Sequence, residues 1–249
     1  MIVEYAQVAD GVGCIRLNRP ERLNAVTPGL IDGILDGFDR ASADGIRVLV
    51  LAGNGRAFCA GWDLKEPAIE ESRDEARARL QRLQDITRRT IDFPGPVIAA
   101  VQGYALGAGA EFALGCDCII ASEDAAFGFP EVEVGLSGTN GISALLPRMI
   151  GMVRAKELTL LGERIGADRA YALGLVTRVV PVGAHEAAAF ELAERLAAKP
   201  PAALRIAKRL LDAGAQSTVA EALDAEVDAA LATLDTGENA AAAAEFRTR

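Results

Sequence analysis

Apolar residues fall along this chain in three kinds of pattern, and each predicts a different element. Short continuous apolar runs at 46–51 (interrupted only by Arg47), 97–101 and 118–121 predict strands buried on both faces. Residues 2–8 and 12–17 predict two further strands, joined at Asp10-Gly11, a dipeptide suited to a tight hairpin. After a turn at Asn18-Arg19-Pro20-Glu21, Thr27 followed by Pro28 marks an N-cap and a first helical position, and the helix runs to about Ala43. Strands alternating with helices predict a parallel sheet with right-handed crossovers. From about residue 183 the pattern turns wholly helical, with alanine-rich helices at 184–198, 201–213 and 218–234 and a short fourth near 237–247. Lys199-Pro200-Pro201 and Asp212-Ala213-Gly214 punctuate them. The expected organisation is an α/β core over 1–195 and a helical region over 196–249.

Charge concentrates between residues 65 and 92, where Glu66, Glu70, Glu71, Arg73, Asp74, Glu75, Arg77, Arg79 and Arg82 predict a solvated helix behind a mobile loop. Because the segment directly follows Gly61-Trp62-Asp63, it is also a candidate wall of a substrate site. The chain as a whole carries a formal charge of −9, which disfavours nucleic acid and anionic membranes as partners. Its 249 residues, 51% of them hydrophobic, suffice for a sizeable core. The start, Met1-Ile2-Val3-Glu4-Tyr5, lacks the basic and apolar regions of a signal peptide, and no run is long enough to span a bilayer. A cytoplasmic location is expected. Cys14, Cys59, Cys116 and Cys118 all lie in apolar surroundings and read as free thiols in a reducing compartment. Cys116-x-Cys118 has no second ligand pair, so no metal is expected.

The candidate chemistry lies in three glycine-bearing turns. The stretch from Gly103 to Gly115 feeds a strand into a glycine-rich bend and then a short apolar helix. Unpaired N–H groups and the positive dipole end of such a helix suit a developing oxyanion, with Ala108 N–H as the candidate donor and Glu111 one turn on. Glu131 follows a second turn, 20 residues later. Two carboxylates in one dry site resist joint ionisation, so one keeps a proton to donate while the other accepts one. A single histidine, His185, excludes a His-dependent triad, and it reads as a surface residue at a helix start. Neither Gly107-x-Gly109 nor Gly53-x-Gly55 completes a dinucleotide fingerprint, because Phe112 and Phe58 occupy the third glycine position.

These residues resemble a known family. Ala57-Phe58-Cys59-Ala60-Gly61-Trp62-Asp63-Leu64-Lys65, the stretch from Gly103 to Asp117, Phe127-Gly128-Phe129-Pro130-Glu131-Val132-x-x-Gly135 and Gly162-x-x-Ile165-x-Ala167-x-x-Ala170-x-x-Leu173-Gly174-Leu175-Val176 are similar to the motifs of the enoyl-CoA hydratase/isomerase (crotonase) family across essentially the whole chain. The resemblance implies an α/β spiral of ββα units with C-terminal helices that help build a homotrimer or homohexamer. It implies an acyl-CoA thioester as substrate and no cofactor beyond the coenzyme A of that substrate. By motif position, Trp62 N–H and Ala108 N–H would hold the thioester oxygen, although the family usually has glycine at the latter position. Glu111 and Glu131 match both glutamates of the family's hydratases, whereas isomerases commonly lose the first. The resemblance also implies substrate contacts from Arg22, Leu23, Ala25, Arg56, Ala60, Gly61, Asp63, Leu64, Gly107 and Phe129, with Arg22 or Arg56 facing phosphates. A basic face of Lys199, Arg205, Lys208 and Arg209 is either a nucleotide contact or a solvated surface.

Two departures stand out. Gly135-Leu136-Ser137-Gly138-Thr139-Asn140-Gly141-Ile142 replaces the usual glycine-rich loop, and Phe129 replaces a polar residue two positions before the second glutamate. Trp62 and Phe129 therefore either shape a pocket for a branched, cyclic or aromatic acyl group or pack in the core. The expected activity is hydration of a 2,3 double bond. The alternatives are double-bond isomerisation or thioester hydrolysis on the same scaffold, or non-catalytic binding of acyl-CoA or RNA.

Overall fold

The computed structural model describes residues 1–66 and 70–240. Strands β1 (Val3–Ala9) and β2 (Val12–Leu17) form an antiparallel hairpin, with Gly11 in the left-handed region at its turn. Helix α1 (Pro28–Ala43) starts where Thr27 Oγ1 accepts from Leu30 N. A repeating unit follows in which a long strand enters one sheet, a three-residue strand enters a second sheet, and a helix or turn closes the unit. Strand β3 (Val48–Gly53), β4 (Ala57–Cys59) and α2 (Arg73–Asp92) form the first unit, and β5 (Val97–Val101), β6 (Tyr104–Leu106) and α3 (Ala108–Leu114) the second. The third has β7 (Cys118–Ser122), β8 (Ala126–Gly128), a 3-10 turn at Pro130–Val134, then α4 (Ile142–Ile150) and α5 (Met152–Leu161). Strand β9 (Arg164–Gly166), α6 (Ala167–Leu173) and β10 (Arg178–Val180) complete the core, and α7 (His185–Ala197), α8 (Pro201–Gly214) and α9 (Val219–Asp235) follow.

The large sheet runs β1-β2-β3-β5-β7-β10, parallel from β2 onward, and the small sheet runs β4-β6-β8-β9. This is the spiral of ββα units anticipated from the motifs. The continuous apolar runs are buried on both faces. Leu49, Leu51, Val97, Ala99 and Val101 face a core shared with α1 and α2, while Val48, Val50, Ile98 and Ala100 face α7. Helix α7 meets the sheet through Ala189, Ala193 and Ala197, four residues apart, whose small side chains allow a close approach.

The three C-terminal helices lie where the alanine-rich pattern places them. Of the short fourth helix expected near 237–247, residues 238–240 are helical and 241–249 lie outside the described residues. The loop expected before α2 falls partly on 67–69, also outside them; α2 itself begins with a capping box of Ser72 and Glu75.

Two sequence expectations need correction. His185 does begin a helix, but it is buried, and neither imidazole nitrogen has a hydrogen-bond partner among the described residues. Burial pushes its pKa down. Lys208 does not join a solvated basic face. Its ammonium is buried against the core, donating to Thr90 O at 3.0 Å and Gly95 O at 3.1 Å and pairing with Asp117 Oδ2 at 2.9 Å. Asp117 Oδ2 in turn accepts from Val97 N at the start of β5. Helix periodicity leaves Lys208 beside Arg205 and Arg209, which are exposed, but the tertiary contact with Asp117 turns it inward. Lys208→Met should therefore cost about 3 kcal/mol, because the change leaves a partly buried carboxylate and two carbonyls without their donor. Thermal unfolding followed by circular dichroism would test this, and an unchanged Tm would count against the latch.

Candidate active site

The two turns that open the site are packed backbone to backbone. Gly61 has φ 86° and lies so close to the next turn that a Cβ there would be 2.8 Å from Leu106 O. Gly107, the N-cap of α3, has φ 52°, and a Cβ there would be 3.8 Å from Gly61 Cα and 3.0 Å from Glu131 Oε1. Both glycines are thus required by left-handed backbone and by close approach. Each is followed by a candidate amide. Around Trp62, the flanking groups are spent on Val26: Val26 N donates to Gly61 O, and Asp63 N donates to Val26 O. The Trp62 N–H points the other way, as strand alternation requires, and has no acceptor among the described residues. Ala108 is the first residue of α3, buried, and its N–H likewise has no acceptor among the described residues, as expected at a helix start.

Glu111 lies in the first turn of α3 and is 1% exposed. Its carboxylate is fully engaged on one side. Oε1 accepts from Thr139 N at 2.7 Å; Oε2 accepts from Thr139 Oγ1 at 2.6 Å and from Asn140 Nδ2 at 3.0 Å. Asn140 Oδ1 accepts from Thr87 Oγ1 at 3.1 Å. Glu131 is held differently. It sits in the 3-10 turn, half-buried, with no side-chain donor on its carboxylate among the described residues. Burial raises its pKa above the ordinary carboxylate value; its own backbone N–H opposes the rise, and the charge of Glu111 adds to it.

A cavity of about 380 Å³ opens beside Glu131, floored by Phe129, Ile142, Leu146 and Met152 and passing Gly138. Glu131 lines this cavity, and Gly138, also on its wall, lies close to Glu111: a Cβ there would be 3.4 Å from Glu111 Oε1. A second, of about 700 Å³, is bordered by Arg19, Val26, Trp62, Leu64 and Arg79. There the Arg79 guanidinium stacks 4.9 Å from the Trp62 ring centroid while pairing with Glu71. The N-terminal part of α2 thus walls this cavity, as its place after the Trp62 turn suggested. A third cavity, of about 250 Å³ near Phe93, Gly95 and Leu204, touches neither glutamate.

The remaining candidates divide. Ala60 N donates to Leu23 O, and Leu23 and Asn24 are both left-handed, so that loop is fixed against the Trp62 turn. Buried Asn24 holds it by donating to Asn54 O and Ala57 O. Ala25 is buried beneath it, its carbonyl accepting from Arg19 Nη1. Arg22 and Asp63 hold each other, with Arg22 Nη2 2.7 Å from Asp63 Oδ1 and Arg22 Nε 3.2 Å from Oδ2. The pair locks two loops together, so the charge of Arg22 is already spent. Arg56 is exposed at the turn before β4 and has no carboxylate partner among the described residues. Leu64 is exposed, and Phe129 is in the core while lining the smaller cavity. The cysteines are packing groups: Cys14, Cys59 and Cys116 are buried, Cys118 is half-buried, and burial pushes the Cys59 thiol up to about 12. Sequence reasoning missed Thr87, Thr139 and Asn140. The only signal was that Thr139-Asn140 stands where a glycine-rich loop is usual.

A family model described as Enoyl-CoA hydratase/isomerase matches residues 7–247. The chain is 38% identical to 2,3-dehydroadipyl-CoA hydratase of Escherichia coli over 205 residues, covering 79% of this chain and 76% of that protein. It is 35% identical to 1,2-epoxyphenylacetyl-CoA isomerase of the same organism over 227 residues, covering 90% and 87%. The crystal structure of an enoyl-CoA hydratase from Bacillus anthracis superposes with a TM-score of 0.94 at 34% identity, covering 100% of this chain and 96% of that one. Among the described residues, no helix is long and apolar enough to cross a membrane.

Proposed function

This chain belongs to the enoyl-CoA hydratase/isomerase family, and on that premise we propose that it adds water across the 2,3 double bond of an acyl-CoA thioester. The observation that carries this reading is the unequal holding of two neighbouring carboxylates. Glu111 accepts three hydrogen bonds, which fix it as the acceptor of the pair. Glu131 has its pKa raised, which favours its acid form. A hydratase needs one of each. The thioester oxygen sits between Trp62 N–H and Ala108 N–H. Glu111 takes a proton from water as the water oxygen bonds to C3, and the π electrons pass to the thioester oxygen as an enolate. Glu131 delivers its proton to C2, the enolate collapses, and a proton passing from Glu111 to Glu131 resets the site. No cofactor takes part. Isomerisation needs only one group to shuttle a proton, so retention of both acids favours hydration.

The cavity of about 380 Å³ beside Glu131 suits the acyl group. Arg56 suits a phosphate of coenzyme A better than Arg22, which Asp63 occupies. The exposed stripe Val219, Leu223, Val227, Leu231 and Leu234 on α9 supports assembly into a homotrimer or homohexamer.

Incubation with a panel of straight-chain, branched and aromatic enoyl-CoA thioesters, read by mass spectrometry, tests the reaction. A product heavier by one water is expected. Double-bond migration alone, or free coenzyme A, would replace this reading with isomerase or thioesterase. Glu111→Gln should lower hydration about 10²–10⁴-fold. Its affinity for acyl-CoA, measured by calorimetry, should stay close to that of the parent. Equal hydration by the variant would remove Glu111 from the mechanism, whereas retained acyl-CoA affinity with no hydration by parent or variant would favour a binding role.

A further inference from the structure

We propose that Asn140, oriented by Thr87, is the positioning residue that fixes Glu111 for catalysis; the proposal rests on the hydratase reading above. Each carboxylate oxygen offers two lone pairs. Glu111 Oε2 uses both, on Thr139 Oγ1 and Asn140 Nδ2, while Oε1 uses one, on Thr139 N. One acceptor site remains, on Oε1. A side chain at Gly138, where a Cβ would lie 3.4 Å from Oε1, would crowd that site; glycine does not. The attacking water then has a single place to bind and a single direction from which to attack.

The choice of oxygen depends on which end of the Asn140 amide faces Glu111. Thr87 Oγ1 donates to Asn140 Oδ1, and this turns Nδ2 toward the carboxylate. A flipped amide would set Oδ1 against Glu111, two acceptors in contact. Thr87, Glu111 and Asn140 are all buried, so water has little access to repair a broken link. Asn140 also adopts φ 48°, a left-handed conformation that asparagine tolerates better than most residues. The position thus requires both an amide and a tolerance for that backbone. Thr87 lies on α2, so the helix that walls the larger cavity also orients the base.

Three variants test this on any enoyl-CoA that the parent hydrates. Asn140→Gly keeps the left-handed backbone and removes the amide; kcat should fall about 100-fold with KM nearly unchanged, the scale expected when a reacting group is misplaced by about 1 Å. Thr87→Val keeps the shape and removes the hydroxyl; kcat should fall about tenfold, again without a matching change in KM. Thr87→Ser keeps the hydroxyl and should restore kcat to near the parent value. If Asn140→Gly and Thr87→Val lower only Tm and leave kcat intact, the network is structural and the proposal is overturned. If the parent hydrates no enoyl-CoA, the hydratase reading fails on its own. The positioning claim is then decided by the crystal structure of Asn140→Gly: a reoriented Glu111 carboxylate supports it, and an unmoved one overturns it.

Discussion

Proline at position 108 is expected to lower the hydration rate about 10²–10³-fold in a protein that still folds, the loss found when one oxyanion donor is removed. The substitution deletes a single hydrogen-bond donor. Ala108 is the first residue of α3, where proline is favoured because its missing N–H would have no intrahelical acceptor and its fixed φ already suits the helix. The preceding residue, Gly107, has ψ −127° and lies outside the right-handed helical region that proline would disfavour. The α3 hydrogen bond from Glu111 N to Gly107 O is untouched. What disappears is the donor that meets the developing charge on the thioester oxygen, together with Trp62 N–H. Ala108→Gly keeps the N–H and serves as the control, with activity close to the parent. Steady-state kinetics with matched Tm and near-ultraviolet circular dichroism separate lost catalysis from lost folding. A folded Ala108→Pro protein with the parent's kcat would mean that Ala108 N–H does not bind the oxyanion.

The parts of the molecule that were legible in sequence are those whose physics is local or repetitive. The apolar runs at 46–51, 97–101 and 118–121 announce strands because both faces of β3, β5 and β7 are buried, and Thr27-Pro28 announces α1 because its cap is made within one turn. The second sheet was not legible. Strands β4, β6 and β8 are three residues each, too short to show a period, and they exist because they pair with one another. The same division runs through the site. Glu111 could be found because glycine-rich bend, helix start and carboxylate are contiguous. Its holders could not, since Thr87 and Asn140 are 53 positions apart and Ser137-Gly138-Thr139-Asn140-Gly141 reads as an ordinary loop. The partners of Lys208 and Arg22 were not legible for a related reason. Their charges point to solvent or to phosphate until Asp117 and Asp63 are brought beside them by the fold.

Glu131→Gln should abolish most hydration, about 10²–10⁴-fold, and at the same time make the protein slightly more stable at neutral pH. The two effects have one cause. Burial, reinforced by the charge of Glu111, raises the pKa of Glu131 above the ordinary 4.5. A carboxylic acid raised in the folded state contributes its full stability below the unfolded value and loses it as pH climbs through the folded value, where a poorly solvated anion must form. Glutamine carries no proton to lose, so the variant escapes that cost. Its Tm should exceed the parent's at neutral pH, and the difference should vanish once the pH falls below about 4.5, where the parent is protonated in both states. The kinetic counterpart runs in the same direction: the parent's hydration rate should decline on the alkaline side as Glu131 ionises, and the residual rate of the variant should lack that limb. Paired melting and kinetic profiles across pH measure both. A variant that loses activity but is less stable than the parent at neutral pH would show Glu131 to be a favourable anion, and the proton that reaches C2 would then have to come from the water held by Glu111.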